Sequence, residues 1–250
     1  MISEKLNDAK PMSTLFVIRH GQASFLEQNY DKLSALGETQ ARLLGEYWAK
    51  RRVIFDRVLS GPRTRQRETA RITGEAYKAS GIPWPAVEMA PEFDEYHGDT
   101  VLDAALPGLV ERDPQVRDLQ DVFLKSSTPA EKHRAFQRLF EIVIGRWVAG
   151  EIQAENVESW ADFSARVNRG LSQIAANGGQ GQQVAVFTSG GPIGVTMQRA
   201  LHLSAEDTLR VAWMVRNGAC SEFLFSGERF TLSSFNAFPH LDGASLLTYR

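Results

Sequence analysis

Short apolar runs alternate along this chain with segments whose apolar residues recur at helical spacing. The β-type runs lie at residues 15–18, 56–60, 184–188, 220–225 and 230–235. Helical periodicity covers residues 38–51 and 64–80, and it returns after Ser159 with apolar positions three or four residues apart. This alternation predicts an α/β fold in which helices cover both faces of a sheet.

Residues 98–150 interrupt the alternation because they contain no strand pattern. Their clearest feature is an amphipathic helix at residues 136–148, where aromatic and aliphatic side chains share one face. We predict that this segment is a helical insertion within one domain spanning residues 1–250. Residues 1–12 are predicted to form a flexible N-terminal tail.

Composition narrows the class of protein without deciding its activity. The chain has 250 residues, of which 43% are hydrophobic, so it can bury one sizeable core. A net charge of -2 argues against a nucleic acid or an anionic membrane as the main partner, so any anionic substrate must be attracted locally. An amphipathic helix can face either the core or a second copy, which leaves a homo-oligomer open.

Cys220 is the single cysteine of the chain, which excludes an intrachain disulfide and any multi-cysteine metal site. The reducing cytoplasm is therefore the simplest compartment. The N-terminus lacks the apolar core of a signal peptide, and no segment approaches the length of a membrane span. We expect a cytoplasmic protein.

The first chemical motif is Arg19-His20-Gly21, which follows the apolar run at residues 14–18. Ligands of open α/β sheets bind at strand ends, so these residues are expected where chemistry occurs. A guanidinium binds phosphate oxygens, a neutral imidazole can attack phosphorus, and glycine admits a close backbone approach. The structural alternative is that Arg19 pairs with a carboxylate, His20 is a buried core residue and Gly21 turns the chain.

A second motif at the expected distance favours the chemical interpretation. The sequence Leu33-Ser34-Ala35-Leu36-Gly37-Glu38-Thr39-Gln40-Ala41 is similar to the Leu-Thr-x-x-Gly-x-x-Gln-Ala segment of the histidine phosphatase superfamily, also called the phosphoglycerate-mutase-like family. Arg19-His20-Gly21 resembles that family's signature. The resemblance implies a three-layer α/β/α sandwich with a central mixed, mostly parallel sheet and a helical insertion over the active site, so that the insertion shapes substrate choice.

The stretch Ser60-Gly61-Pro62-Arg63-Thr64-Arg65-Gln66-Arg67-Glu68-Thr69-Ala70 resembles the family's Ser-Ser-Pro-x-x-Arg-Ala-x-Gln-Thr-Ala. The match places the phosphate-binding arginine at Arg65, beside the N-terminus of a predicted helix. Gln66 and Glu68 depart from the family's alanine and glutamine. Arg67 and Arg71 are four residues apart and are predicted to form a solvated helix face instead of a second anion site.

The acidic segment around Glu95 resembles the part of the family that carries the proton donor. A carboxylic acid there can protonate the leaving oxygen. Glu92 and Asp94 are alternative candidates for this acid. The alternative without a catalytic role is an ordinary solvated acidic turn.

The main departure from the family lies at Thr188-Ser189-Gly190-Gly191, where the family has Ser-His-Gly-Gly and its histidine donates to the phosphoryl group. Ser189 is neutral, but it can donate a hydrogen bond, and the amides of Gly190 and Gly191 can form an anion-binding nest before a helix predicted to start at Pro192. Three explanations stay open. Ser189 and these amides replace the histidine, or His97 does so, or the site only binds phosphate.

The resemblance implies a metal-independent phosphatase without a cofactor. Arg19 and Arg65, with Ser189 and Gly190, hold the phosphoryl group of a small phosphorylated substrate. His20 attacks phosphorus, and Glu95 is the general acid. A hydrolase is favoured over a phosphoglycerate-mutase-type phosphotransferase because we identify no extra basic set for a substrate carboxylate. The loss of the second histidine is expected to cost roughly 10²- to 10³-fold in rate.

Overall fold

The computed structural model describes residues 12–24, 31–177 and 180–249. Its strands are β1 (Ser13–Arg19), β2 (Arg57–Ser60), β3 (Val87–Met89), β4 (Gln183–Thr188), β5 (Cys220–Ser226) and β6 (Arg229–Ala237). Its α-helices are α1 (Ala35–Lys50), α2 (Thr64–Ala79), α3 (Gly98–Arg112), α4 (Pro114–Lys125), α5 (Pro129–Val148), α6 (Trp160–Asn177), α7 (Gly190–Leu201) and α8 (Ala205–Met214). The N-terminal tail predicted at residues 1–12 lies outside the described residues except for Met12.

The six strands form one mixed sheet in the order β3-β2-β4-β1-β5-β6. The pairs β3–β2, β2–β4 and β4–β1 are parallel, whereas β5 and β6 add to the other edge in antiparallel orientation. The carboxyl ends of the parallel strands β1, β2 and β4 therefore point to the same end of the sheet. The motifs that follow these strands are thus brought together.

Alternating side chains of the two central strands divide the core into two layers. Leu15 and Val17 of β1 face the larger apolar cluster, which includes residues of α3, α5, α6 and α7, whereas Phe16 and Ile18 face the cluster of α1 and α2. Strict alternation with both faces buried is what a central strand requires. The α/β/α sandwich is confirmed.

The insertion at residues 98–150 is helical and consists of α3, α4 and α5, which we call the cap. The predicted strands are confirmed within two residues at each end. Within the described residues, the short exposed edge strand β3 and the helix α8 were not predicted, and α3 and α4 were predicted only as part of the helical insertion. The prediction that a helix starts at Pro192 was wrong by two residues, because α7 already begins at Gly190.

Among the helices of the described segments, none is both long enough and apolar enough to cross a membrane. Within the same segments, no group of three or more His, Cys, Asp or Glu side chains is arranged to hold a metal ion.

Candidate active site

The backbone of Arg19 and His20 is fixed between β4 and the turn that precedes β5. The His20 amide donates to the Thr188 carbonyl at 2.9 Å, and the Gly218 amide donates to the Arg19 carbonyl at 3.1 Å. A Cβ on Gly21 would lie 2.3 Å from the Gly37 carbonyl oxygen, so the start of α1 lies directly on this glycine. Gly21 is therefore required by helix packing, and the predicted close approach of an anion to its backbone stays a prediction.

His20 is buried, and its hydrogen bonds define which nitrogen can react. Nδ1 lies 2.7 Å from the Gly21 carbonyl oxygen, which can only accept, so Nδ1 carries the proton. Nε2 therefore keeps its lone pair, which accepts a hydrogen bond from Arg65 Nε at 3.1 Å. Burial, and then the neighbouring Arg65 and Arg19 guanidiniums, hold the pKa of His20 well below its usual value of 6.5. The imidazole is neutral at physiological pH, as a nucleophile must be.

Arg65 stands in the first turn of α2 and is buried beside His20. Asp31 accepts from Arg65 Nη1 at 2.8 Å with one oxygen and from the Thr64 amide at 2.7 Å with the other. A carboxylate at a helix N-terminus is favoured by the exposed amides and the helix dipole. Asp31 thus fixes both the helix start and the direction of the guanidinium.

Arg19 is also buried, and its Nη1 donates to the carbonyl oxygen of Val215, just after α8. This contact joins the end of β1 to the segment before β5. The guanidiniums of Arg19 and Arg65 are therefore both buried near His20, and charge interactions between buried groups are strong.

Glu95 lies in the loop between β3 and α3, and its carboxylate faces the start of α7. Oε2 accepts from the Gly191 amide at 3.1 Å, and Oε1 accepts from the Tyr96 amide at 3.1 Å. The predicted anion-binding amide of Gly191 is therefore already used by an internal carboxylate. Of the three acids considered, Glu95 is the one whose side chain lines the cavity at His20.

The loop that carries Glu95 is held by Arg166 of α6. Its Nη1 lies 3.0 to 3.2 Å from the carbonyl oxygens of Pro91, Glu92 and Asp94, while Nε and Nη2 donate to the two oxygens of Glu158. The hydrogen bond with Glu158 raises the pKa of Arg166. Arg166 is thus a positioning residue for the loop at residues 90–97 between β3 and α3, which we call the acidic loop.

Ser189 contacts Gln66, one of the two residues that depart from the family stretch on α2. Gln66 Nε2 donates to Ser189 Oγ at 2.8 Å, and Gln66 Oε1 accepts from the Arg63 amide at 3.1 Å. A Cβ on Gly61 would lie 2.2 Å from Gln66 Oε1. Glycine, where the family stretch has serine, therefore leaves the room that Gln66 fills.

Ser189 is 1% exposed and Gln66 is fully buried. Ser189 is not among the described residues that line the cavity at His20, although Gly190 and Gly191 are. Its hydroxyl accepts the hydrogen bond from Gln66 at the N-terminus of α7. The role of Ser189 in binding phosphate stays a prediction.

His97 is exposed and stands outside this cavity, just before α3. Its Nδ1 lies 3.2 Å from Arg63 Nη2, and Arg63 in turn forms a 2.6 Å ion pair with Asp94 and donates to the Glu95 carbonyl. His97 therefore contacts the outer side of the loop that carries Glu95 and does not line the cavity at His20, and its role in place of the second histidine stays a prediction.

The candidate site is a cavity of about 490 Å³ beneath the cap. It brings together Arg19, His20, Arg65, Glu95 and Gly190, which are five of the six residues predicted from sequence. Sequence reasoning missed Asp31, Gln66 as a partner of Ser189, and Arg166. The Glu158-Ser159 helix start was a sequence signal for the last of these, since Glu158 is the carboxylate that Arg166 binds.

Comparison with known proteins identifies a family that spans most of the chain. The family model for the histidine phosphatase superfamily (branch 1) matches residues 15–138 and 101–237. A search of curated protein sequences gave no match.

Solved structures share the fold along nearly the whole chain. A phosphoglycerate mutase from Bacillus anthracis str. Sterne is 19% identical with a TM-score of 0.62, covering 92% of this chain and 96% of the other. A putative alpha-ribazole-5'-P phosphatase from Escherichia coli is 20% identical with a TM-score of 0.59, covering 90% and 96%. A mycobacterial glucosyl-3-phosphoglycerate phosphatase is 21% identical with a TM-score of 0.58, covering 90% and 99%.

Proposed function

Because this chain belongs to the histidine phosphatase superfamily, we propose that it hydrolyses phosphomonoesters through a phosphohistidine on His20. The observation that carries the proposal is the neutral His20, whose Nε2 accepts a hydrogen bond from the buried Arg65 guanidinium and whose ring also lies within the electrostatic influence of Arg19. Arg19 and Arg65 bind the phosphoryl oxygens and neutralise their charge, the role that Mg²⁺ has in other phosphoryl-transfer enzymes. We therefore expect activity in the presence of EDTA.

The reaction has two balanced steps. His20 Nε2 attacks phosphorus, the bond from phosphorus to the ester oxygen breaks, and protonated Glu95 gives its proton to the departing alcohol. Water then attacks the phosphohistidine, Glu95 accepts a proton from that water, and the bond between Nε2 and phosphorus breaks to release phosphate. Gly190 lines the cavity at the start of α7, and in this proposal its amide donates to a phosphoryl oxygen.

Hydrolysis of phenyl phosphate in EDTA tests this proposal, with His20→Ala as the comparison. We expect the variant to lose at least about 10³-fold in kcat/KM, as nucleophile removal does elsewhere. The unaltered protein should also form an acid-labile, alkali-stable phosphoprotein that His20→Ala does not form. Equal activity of the two proteins would overturn the phosphohistidine mechanism.

A second candidate, a phosphate-binding protein without turnover, is favoured by one observation. Ser189 replaces the family's second histidine, and Gln66 holds its hydroxyl. Phosphate binding by calorimetry, abolished in Arg65→Met but without hydrolysis or phosphoprotein, would establish that alternative. With one buried cysteine, the reducing cytoplasm remains the compartment we propose.

A further inference from the structure

The cavity extends from His20 into the space between two helices of the cap. The α3 residues that line it lie at positions 98, 99, 102 and 103, and the α5 residues lie at 133, 136, 137 and 140. Both sets follow helical spacing, so each helix turns one face toward this space. The part of a substrate that leaves with the ester oxygen must occupy it.

We infer that the substrates are phosphomonoesters of aromatic or broadly apolar alcohols that carry no second anionic group. This inference rests on the proposed function and specifies the chemical class on which that same site acts. It is carried by two separate properties of the cap side of the cavity, namely its aromatic wall and its charge.

The wall is apolar and held in place by packing. Leu102, Phe136 and Phe140 line it from the cap, and Tyr96 and Trp213 line it from the acidic loop and α8. The rings of Phe136 and Phe140 are stacked with centroids 6.1 Å apart, and Phe140 lies against Gly98, where a Cβ would be 2.8 Å from its ring. A surface of this kind favours an apolar or aromatic alcohol, because burial of apolar area and ring contacts stabilise it.

The arginine side chains and the carboxylates of the cap lie at opposite ends of the cavity. Among the described lining residues, the guanidiniums are those of Arg19, Arg63 and Arg65, all at the phosphate end, and Arg63 is paired with Asp94. The cap side carries the exposed carboxylates of Asp99 and Asp103.

His133 is the other titratable group on the cap side, and it is exposed there. A carboxylate or second phosphate on the substrate would face like charge without a nearby Lys or Arg from the described lining, whereas an ammonium group would be attracted. Substrates such as phosphoglycerates are therefore disfavoured, which is the second reason to expect a hydrolase instead of a mutase.

Three esters that differ only at the far end of one ring test the charge: phenyl phosphate, O-phosphotyramine and the phosphate ester of 3-(4-hydroxyphenyl)propionate. We expect kcat/KM for the ammonium ester to exceed that for the carboxylate ester by about tenfold. This ratio is the size expected from the two exposed carboxylates of Asp99 and Asp103, since each exposed charge contributes little. The variant Asp99→Asn/Asp103→Asn should bring this ratio close to one. Asp118→Asn, which removes an exposed carboxylate of the same cap outside the cavity, is the matched control and should leave the ratio unchanged.

The aromatic wall is tested by comparing phenyl phosphate with ethyl phosphate. Phe136→Ala should lower kcat/KM for the aryl ester several-fold more than for the alkyl ester. Equal losses would overturn the apolar part of the inference, and an unchanged or reversed ammonium-to-carboxylate ratio would overturn the charge part.

Failure of the proposed function is distinguished from failure of this inference by the same esters. If phenyl phosphate binds but is not hydrolysed, the enzyme proposal fails, and thermal shifts with the three esters then report the same selectivity as binding. If phenyl phosphate is hydrolysed and the three esters are equivalent, the enzyme stands and the substrate class is wrong.

Discussion

The contact between Gln66 and Ser189 joins two departures from the family pattern that lie far apart in sequence. Both side chains are buried, and Gly61 provides the room that Gln66 occupies. An imidazole at position 189 would compete with the carboxamide of Gln66 for the same volume. The two positions are therefore expected to change together.

Ser189→His alone should lower the free energy of unfolding by about 1–3 kcal/mol, because it overpacks a filled site. Gln66→Ala alone should lower it similarly by leaving a cavity and an unpartnered Ser189 hydroxyl. The double variant Ser189→His/Gln66→Ala should lose at least about 1 kcal/mol less free energy of unfolding than the sum of the two single losses. Urea denaturation of all four proteins in a double-mutant cycle measures this difference. The double variant should also hydrolyse phenyl phosphate up to about 10²-fold faster than the natural sequence, if an added charged donor acts as elsewhere. Additive effects on stability would refute the coupling.

His240 gives the protein a defined sensitivity to acid. Burial lowers the pKa of His240 to about 4 in the folded protein, against 6.5 when exposed. Below pH 6.5 the unfolded chain therefore binds the proton first, so stability is complete above that pH and declines as pH falls toward 4. The contribution lost by pH 4 is about 3 kcal/mol.

Urea denaturation between pH 7.5 and 4.5 measures this effect. His240→Gln should flatten the decline, because glutamine does not titrate. His20, whose pKa is also lowered by burial, contributes in the same direction, and a separate His20→Gln variant apportions the two shares. An identical pH dependence in the natural protein and His240→Gln would show that this residue is not the source.

At the scale of elements, the acidic loop is linked to α6 by Arg166. The guanidinium holds three carbonyl oxygens of residues 91–94 next to Glu95, and it is itself directed by Glu158. A catalytic acid that loses its support by even an ångström loses much of its effect. On the proposed mechanism, helix α6 therefore positions the catalytic acid without contacting the substrate.

Arg166→Met keeps much of the side-chain volume but removes these hydrogen bonds. We expect kcat to fall by about 10- to 100-fold with little change in KM. The loss should be larger for phenyl phosphate than for 4-nitrophenyl phosphate, because a good leaving group needs less help from an acid. Arg169→Met, an exposed position on the same helix, is the control. An equal loss for both esters would indicate general destabilisation instead of a misplaced acid.

At the scale of the whole molecule, the cap shares its core with the sheet. Trp147 of α5 is 1% exposed, packs against Tyr96, Trp160 and Phe163, and donates from Nε1 to the Glu158 carbonyl at 2.8 Å. One apolar cluster extends from β1 to α5. The cap is thus not an independently folding unit.

We therefore expect a single unfolding transition, with far- and near-ultraviolet circular dichroism coinciding in urea. Trp147→Ala should lower the free energy of unfolding by about 3–5 kcal/mol and shift both signals together. Separate transitions for the two signals would show that the cap unfolds before the sheet.

The central strands were predictable from sequence because both of their faces are buried, which produces continuous apolar runs such as residues 15–18. The edge strand β3 was not, since three exposed residues leave no such signal. Helix α8 had a sequence signal in its N-cap Ser204 with Asp207 three positions later, whereas Pro107 obscured α3. The candidate phosphate-binding motifs were found because each follows a strand. The Gln66–Ser189 pair was not, because no local pattern reports a contact between residues 123 positions apart.

The hydrogen bond from Arg65 to His20 also governs how the protein behaves between encounters with substrate. An imidazole with an uncovered lone pair captures transition metals and reacts with stray electrophiles. Here the guanidinium covers that lone pair, and a phosphoryl group competes for the guanidinium more strongly than other solutes do. On the proposed mechanism, recognition of the phosphate and unmasking of the nucleophile are therefore a single event, and the resting imidazole is shielded from metals and electrophiles.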